Sequence, residues 1–169
     1  MSNLAQSKVC LIVGGRKGIG SALADILAKR ASSLSTPFQI IKTSSHFPST
    51  PHFDSTFHNL KLDINDKASV DQAASWVEEN FGRLDLLINS IGVLHGTIPI
   101  NNEEKKFTPE KTAKAIDENW FYENIRLNTY PSILLAQKFC PIMSLGEKAE
   151  NHAIFAAISA KIGSIQDNA

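Results

Sequence analysis

Gly14, Gly18 and Gly20 punctuate the stretch Val13-Gly14-Gly15-Arg16-Lys17-Gly18-Ile19-Gly20, between an apolar run and a segment with helical apolar spacing. A loop of this kind can hold a phosphate. Backbone N–H groups at a helix start have no intrahelical partner, the helix dipole adds partial positive charge, and glycine lets an anion approach the backbone closely. Arg16 and Lys17 place two cations in the same loop. The spacing G-x-x-x-G-x-G is neither G-x-G-x-x-G nor a P-loop, because Gly20 is followed by Ser21-Ala22 rather than Lys-Ser, so P-loop ATP hydrolysis is disfavoured. Further along, Asp63 in Leu-Asp-Ile and the run Asn89-Ser90-Ile91-Gly92 supply polar groups at the ends of other apolar segments. The histidines His46, His52, His58 and His152 show no metal-ligand spacing, His95 is a lone loop histidine, and no metal is assigned.

The elements that must position these residues alternate strand and helix. Lys8 to Val13 is a nearly continuous apolar run, the mark of a parallel strand buried on both faces. Ile19, Ala22, Leu23, Ile26 and Leu27 predict a helix from Gly18 to Arg30, and Phe38 to Lys42 a second strand. The Ser-, Thr-, Pro- and His-rich stretch that follows reads as a long loop. Leu60 to Ile64 is a third strand, a helix ends near Gly82, and Leu84 to Gly92 is a fourth strand. After a polar segment from His95 to Phe107, Thr108-Pro109-Glu110 predicts the start of a short helix, with Asp117 as a second capping residue. Trp120 to Met143 reads as one long helix, kinked where Pro131 leaves the Leu127 carbonyl without a partner; Ala153 to Ser159 is a fifth strand. The expected fold is α/β, a doubly wound, Rossmann-like parallel sheet of about five strands in the order 3-2-1-4-5, with residues 1–169 forming one domain.

Composition excludes several classes. Lys and Arg number 17, Asp and Glu 17, so the formal net charge is zero and a nucleic-acid partner is not expected. No apolar run approaches the ~18 residues of a membrane span, and the opening Met-Ser-Asn-Leu-Ala-Gln-Ser-Lys lacks a signal-peptide pattern, so a cytoplasmic location is expected. Cys10 and Cys140 have neither zinc nor disulfide spacing and are expected to be core residues.

The order and spacing of these motifs resemble the N-terminal part of a short-chain dehydrogenase/reductase. The family pattern T-G-x-x-x-G-x-G is matched by Val13 to Gly20, its acid after strand three by Asp63, and its N-N-A-G by Asn89 to Gly92. Thr-Pro-Glu-Lys at 108–111 and the closing Ile-Phe-Ala-Ala-Ile-Ser-Ala-Lys-Ile-Gly-Ser-Ile are closest to the C-factor and sniffer-type carbonyl reductase branch. The resemblance implies that Gly14, Gly18, Ile19 and Gly20 face a cofactor pyrophosphate, and Asp63 and Ile64 the adenine. Asn89, Ser90, Ile91 and Gly92 would serve the adenosine ribose and the floor under the cofactor, and Asn128 would hold a water in a proton relay. Bland alternatives stand beside each: Asp63 capping the next turn, Asn89 stabilising a strand end, Asn128 as a solvated helix residue.

NAD sites of this fold carry an acid just beyond strand two. Here Lys42-Thr43-Ser44-Ser45-His46 has none; with hydroxyls at Ser44 and Ser45 and cations at Arg16 and Lys17, NADP(H) is favoured over NAD(H). The implied activity is an NADP(H)-dependent oxidoreductase interconverting a carbonyl and an alcohol on a small-molecule substrate. A non-catalytic dinucleotide-binding or interaction module is the alternative. The family's Tyr-x-x-x-Lys pair is not in this sequence: Tyr122 is followed at that offset by Arg126, Tyr130 by Leu134, and both tyrosines are expected to be packing residues. The expectation is a fragment or truncated product, with the pair beyond Ala169. The family serine falls at Ala160, leaving Ser159 or Ser164 as replacements, with Ser159 preferred. The helix at 120–143 is of the type that pairs between subunits in this family, so a homo-oligomer through it is possible, against packing on its own sheet.

Overall fold

The structure is a computed structural model that describes residues 7–32, 37–101, 103–143 and 152–160. β1 (Lys8–Val13) pairs in parallel with β2 (Phe38–Ser44) on one side and β5 (Leu86–Asn89) on the other, in register Cys10↔Ile40 and Cys10↔Leu86. β4 (His58–Lys61) extends the sheet beyond β2, and β8 (Ile154–Ala157) beyond β5, both parallel. These five strands stand in the expected 3-2-1-4-5 order. The long loop after β2 also contributes β3 (His52–Phe53), which pairs antiparallel with β4 at the sheet edge.

Beyond Lys8, strand β1 is apolar and buried because both of its faces are covered. Val9, Leu11 and Val13 join the core formed with Val70, Ala73 and Val77 of α2 (Lys67–Phe81) and Leu134, Leu135 and Phe139 of α4 (Tyr130–Phe139). Cys10 and Ile12 point the other way, into a core with Ala24 of α1 (Gly18–Ala31), Ile40 and Ile88. Helices thus lie on both faces of the sheet. Burial pushes the Cys10 thiol up to about 12, with the charge of Asp85 adding to the effect, so it is an inert core group. Cys140 departs from expectation: it is exposed, in a 3-10 turn at Cys140–Ile142 beyond the buried face of α4.

Local chemistry sets the helix ends. The Asp66 carboxylate accepts from the Ala68 N–H at the start of α2, and Gly82, at φ 64°, closes its far end with its N–H on the Glu78 carbonyl. The segment 95–107 is not a plain polar connection: β6 (Gly96–Ile100) and β7 (Glu103–Phe107) form an antiparallel hairpin of their own. Nor does a helix begin at Thr108. Only a 3-10 turn at Ala113–Ala115 forms there, and α3 (Glu118–Asn124) starts at Asp117, whose carboxylate caps the Asn119 and Trp120 N–H groups. Phe107 lies flat on Trp120 with ring centroids 5.1 Å apart, and Lys105 pairs with Asp117 at 2.7 Å. These tertiary contacts override the local helix signal.

The long helix is interrupted as Pro131 requires. Ile125–Thr129 is wound as a π-helix, with the Tyr130 N–H reaching the Ile125 carbonyl, and α4 begins with Pro131 in its first turn, where no N–H is needed. Its tyrosines are not packing residues: Tyr122 is 63% exposed and Tyr130 47%. Among the described residues no helix is long and apolar enough to cross a membrane.

The outer edge of the sheet has a titratable anchor. His58 is ringed by Phe53, Trp76 and Phe81 at centroid distances of 4.8, 6.0 and 5.2 Å, and its Nε2 lies 3.0 Å from Gln39 Oε1. Burial lowers its pKa, a shift the charge of Asp54 only partly opposes. Because the folded value lies below the unfolded one, protonation favours the unfolded chain. This contribution is present in full above the unfolded pKa of about 6.5 and is lost as the pH falls from there through the folded value. Urea denaturation between about pH 7 and 5 should show stability falling with acid, and His58→Gln should flatten that slope; an unchanged slope would remove His58 as its source.

Candidate functional site

The carboxyl ends of β1, β2, β4 and β5 meet at one edge of the sheet, and four loops leave it there. After Val13, Gly14 turns the chain at φ 84°, the Gly15 N–H bonds to the Thr43 carbonyl at 2.9 Å, and α1 begins at Gly18. No side chain caps the start of α1. Its first N–H groups therefore remain open to a ligand, and a Cβ placed on Gly18 would meet nothing within 4 Å. Gly20 is the opposite case: a Cβ there would lie 2.4 Å from Ser90 Oγ and 2.5 Å from the Gly14 carbonyl oxygen. The helix can approach the strand ends only because Gly20 has no side chain.

The loop after β2 forms a turn in which the Phe47 N–H reaches the Ser44 carbonyl at 3.3 Å and the His46 N–H reaches Ser44 Oγ at 3.1 Å. Ser45 Oγ pairs with His46 Nδ1 at 3.1 Å. After β4, one oxygen of Asp63 accepts the Asn65 N–H at 2.9 Å, so Asp63 does cap the next turn while also lining the cleft. At the end of β5, Ser90 donates both its N–H, at 3.0 Å, and its hydroxyl, at 2.6 Å, to the Val13 carbonyl.

Together these loops enclose a cleft of about 370 Å³. Gly14, Arg16 and Lys17 form one wall, Ser44, Ser45 and His46 a second, Leu62 to Asn65 a third, and Ile91, Val93 and Leu127 the floor. Of the residues singled out in the sequence, Gly14, Arg16, Lys17, Ser44, Ser45, Asp63, Ile64 and Ile91 line this space. Ile19 is exposed on the first turn of α1 beside Gly18 and Gly20. Asn89 stands behind the floor: it is 3% exposed, accepts the Ile91 N–H at 3.0 Å and donates to Ser132 Oγ at 3.0 Å. Its amide is engaged in fixing the strand end.

Asn128 projects from the π-helix. Its Oδ1 accepts the Val93 N–H at 2.7 Å, and its Nδ2 donates to the Val93 carbonyl at 2.9 Å and to Asn124 Oδ1 at 3.1 Å. Gly92 lies against it, a Cβ there falling 3.3 Å from Asn128 Oδ1. Ser159 is exposed two residues beyond β8, and Ser164 lies outside the described residues. Residues that the sequence did not mark are His46, Val93, Leu127 and Arg126. Arg126 pairs with Glu123 and hydrogen-bonds Asn65, tying the π-helix to the rim of the cleft; Glu123 holds its guanidinium proton more firmly than usual. Only convergence of separate loops reveals them.

A doubly wound sheet with an open crevice at the carboxyl ends of its strands is the architecture of nucleotide-binding α/β proteins. The family model for short chain dehydrogenases matches residues 8–165, and the chain belongs to that family. It is 28% identical over 155 residues to the short chain dehydrogenase tazN of Aspergillus terreus, covering 85% of this chain and 29% of that protein. With farnesol dehydrogenase of Aedes aegypti it shares 29% identity over 94 residues, 53% of this chain and 38% of that one. The structure of Caenorhabditis elegans Sniffer, assigned as a carbonyl reductase, superposes with a TM-score of 0.69 at 28% identity, over 96% of this chain and 67% of that one. A Serratia marcescens short-chain dehydrogenase/reductase, 20% identical, shares the fold with a TM-score of 0.65 over 92% of this chain and 58% of that one. The chain thus spans about a third of the length of the curated relatives it matches.

The two glycines of the first turn should respond differently to substitution. Gly20→Ala should destabilise the protein by more than about 2 kcal/mol, and adding Ser90→Ala should not restore it, because the Gly14 carbonyl still blocks the methyl. Gly18→Ala should cost about 1 kcal/mol, from its positive φ alone. Urea unfolding of the three variants checks the order; rescue by Ser90→Ala would mean the backbone contact is not limiting.

Proposed function

We propose that this chain is the dinucleotide-binding part of an NADP(H)-dependent oxidoreductase that interconverts a carbonyl and an alcohol on a small molecule. The supporting observation is the convergence, in one cleft, of Arg16 and Lys17 with Ser44 and Ser45, beside an uncapped helix start. Asp63 is the one carboxylate among the described lining residues, and it comes from the loop after β4 rather than from the end of β2. An acid at the end of β2 would bind a ribose 2′-hydroxyl and repel a 2′-phosphate; cations and hydroxyls do the reverse.

When bound, a nicotinamide dinucleotide exchanges a hydride with the substrate carbon. The chain's own groups would bind and orient it. The first N–H groups of α1, at Gly18, Ile19 and Gly20, would take the diphosphate; Arg16 and Lys17 would take the 2′-phosphate. Ile64 and the Asp63 side would border the adenine, and Ile91, above Asn89, Ser90 and Gly92, would form the floor. Asn128, by holding Val93 at both its N–H and its carbonyl, fixes that floor's edge. We assign Asn128 and Ser159 to the substrate end. The proton donor would be a Tyr-x-x-x-Lys pair, which these 169 residues do not contain. Carbonyl reductase chemistry is the kind assigned to Sniffer, the structural relative described above. Phe121, Ile125 and Ile133, exposed on α3, the π-helix and α4, support pairing between copies through this helix.

A second reading, a binding module without turnover, is favoured by Asn128, whose amide is already satisfied by Val93 and Asn124. Calorimetric titration should show NADPH binding more tightly than NADH, and Arg16→Ala/Lys17→Ala should weaken NADPH about tenfold or more while leaving NADH nearly unchanged. Tighter NADH binding would overturn the cofactor choice, and no binding of either at millimolar concentration the whole proposal. Tight NADPH binding without oxidation of NADPH by any ketone or aldehyde offered would leave the binding module standing.

A further inference from the structure

We propose that Thr108 is a phosphorylation site for a proline-directed Ser/Thr kinase with ATP as the phosphate donor, and that Lys106 and Lys111 receive the phosphate. Thr108-Pro109-Glu110-Lys111 carries the residues of a helix start, yet no helix forms on it. Residues 108–111 lie in neither helix nor strand, and every residue from 108 to 116 is exposed. A kinase draws its target into a cleft as an extended segment, and this one is free to enter. Pro109 keeps Thr108 out of the helical region and, having no N–H, brings no unsatisfied donor into the pocket that follows the target residue. Lys111 adds a cation at the third position after the threonine. The other two Thr-Pro pairs lack that cation: Thr36-Pro37 has Gln39 there and Thr50-Pro51 has Phe53. Thr50 also stands two residues before β3, which is paired with β4.

Thr108 shares an open hollow of about 440 Å³ with Lys105, Lys106, Glu110, Lys111 and Asp117. None of these residues lines the dinucleotide cleft, so the proposal does not rest on the cofactor reading. Asp117 is already engaged, with Lys105 at 2.7 Å and with the N–H groups at the start of α3. Lys106 and Lys111 have no ion-pair partner among the described residues. Lys106 lies two positions before Thr108, and in an extended chain such positions share a face. In the transfer, Thr108 Oγ bonds to the γ-phosphorus of ATP as the bond to the ADP oxygen breaks, and the hydroxyl proton passes to the kinase's base. The product carries a charge of about −1.5 to −2 at pH 7 and three acceptor oxygens, which the two free ammonium groups can pair. Glu110 is the carboxylate in the hollow that opposes it.

The test incubates the wild-type chain with a proline-directed kinase and ATP and maps phosphate by mass spectrometry. Thr108 should be the main site, lost in Thr108→Ala and kept in Thr108→Ser, and Lys111→Ala should slow its modification about fivefold or more. In ³¹P titration of the phosphorylated chain, Lys106→Ala should raise the second phosphate pKa by about 0.3–0.5, because a cation is lost beside the dianion. No phosphate on Thr108, equal modification of Thr50, or an unchanged rate in Lys111→Ala would overturn the site. An unchanged phosphate pKa in Lys106→Ala would overturn the part assigned to Lys106.

Discussion

The Val13 carbonyl accepts two hydrogen bonds from one residue, the N–H and the hydroxyl of Ser90, and so fastens the last residue of β1 to the loop leaving β5. The geometry of the cleft follows from that junction. With Ser90 Oγ fixed there, the first turn of α1 has to pass over it and over the Gly14 carbonyl, a space only a glycine at position 20 can occupy. The passage in turn sets where the uncapped N–H groups of α1 emerge, above the carboxyl ends of the central strands. A strand-end hydrogen bond, a serine and a glycine thus determine where an anion can be held.

The opposite side of the cleft depends on a missing donor. Pro131 cannot give an N–H to the helix, and the widened turn at Ile125–Thr129 absorbs the defect. Two side chains of that turn tie it to separate loops. Asn128 reaches the Val93 backbone with both ends of its amide, in the manner of a short ladder rung, and Arg126 reaches Asn65 on the rim. The π-helix couples the loop after β5 to the loop after β4.

Much of the sheet was legible because burial on both faces removes polar residues from a strand, so Lys8 to Val13 and Leu86 to Asn89 announce themselves in the sequence. Gly82 and Asp117 were readable as helix ends because caps act locally. The hairpin at Gly96–Phe107 was not, since Glu103-Glu104-Lys105-Lys106 has no apolar alternation; pairing with β6 and the flat contact of Phe107 on Trp120 hold it. Thr108-Pro109-Glu110 carries the right cap residues, yet those distant contacts place the helix start at Asp117. In the site, the glycine loop and Asp63 were marked by motif, whereas His46 is one of five histidines without any local signature. Its place depends on three strand ends converging, which no short stretch of sequence encodes.

A chain with zero formal net charge can still present a cationic cleft where cations gather locally, and several of its other cations are paired with carboxylates elsewhere. Arg83 pairs with Asp85, Lys105 with Asp117, Arg126 with Glu123 and Lys138 with Asp71. Lys42, whose backbone touches the glycine loop at Gly15, turns its ammonium away to lie 4.0 Å from the centre of the Phe57 ring, where it also feels Asp54. Arg16 and Lys17 have no ion-pair partner among the described residues. They are exposed on the loop that opens onto the cleft, so their field falls on whatever enters it. The cationic character of the cleft then rests on local placement: two cations without an ion pair among the described residues stand on one wall, hydroxyls and an imidazole on another, and the acid on a third loop.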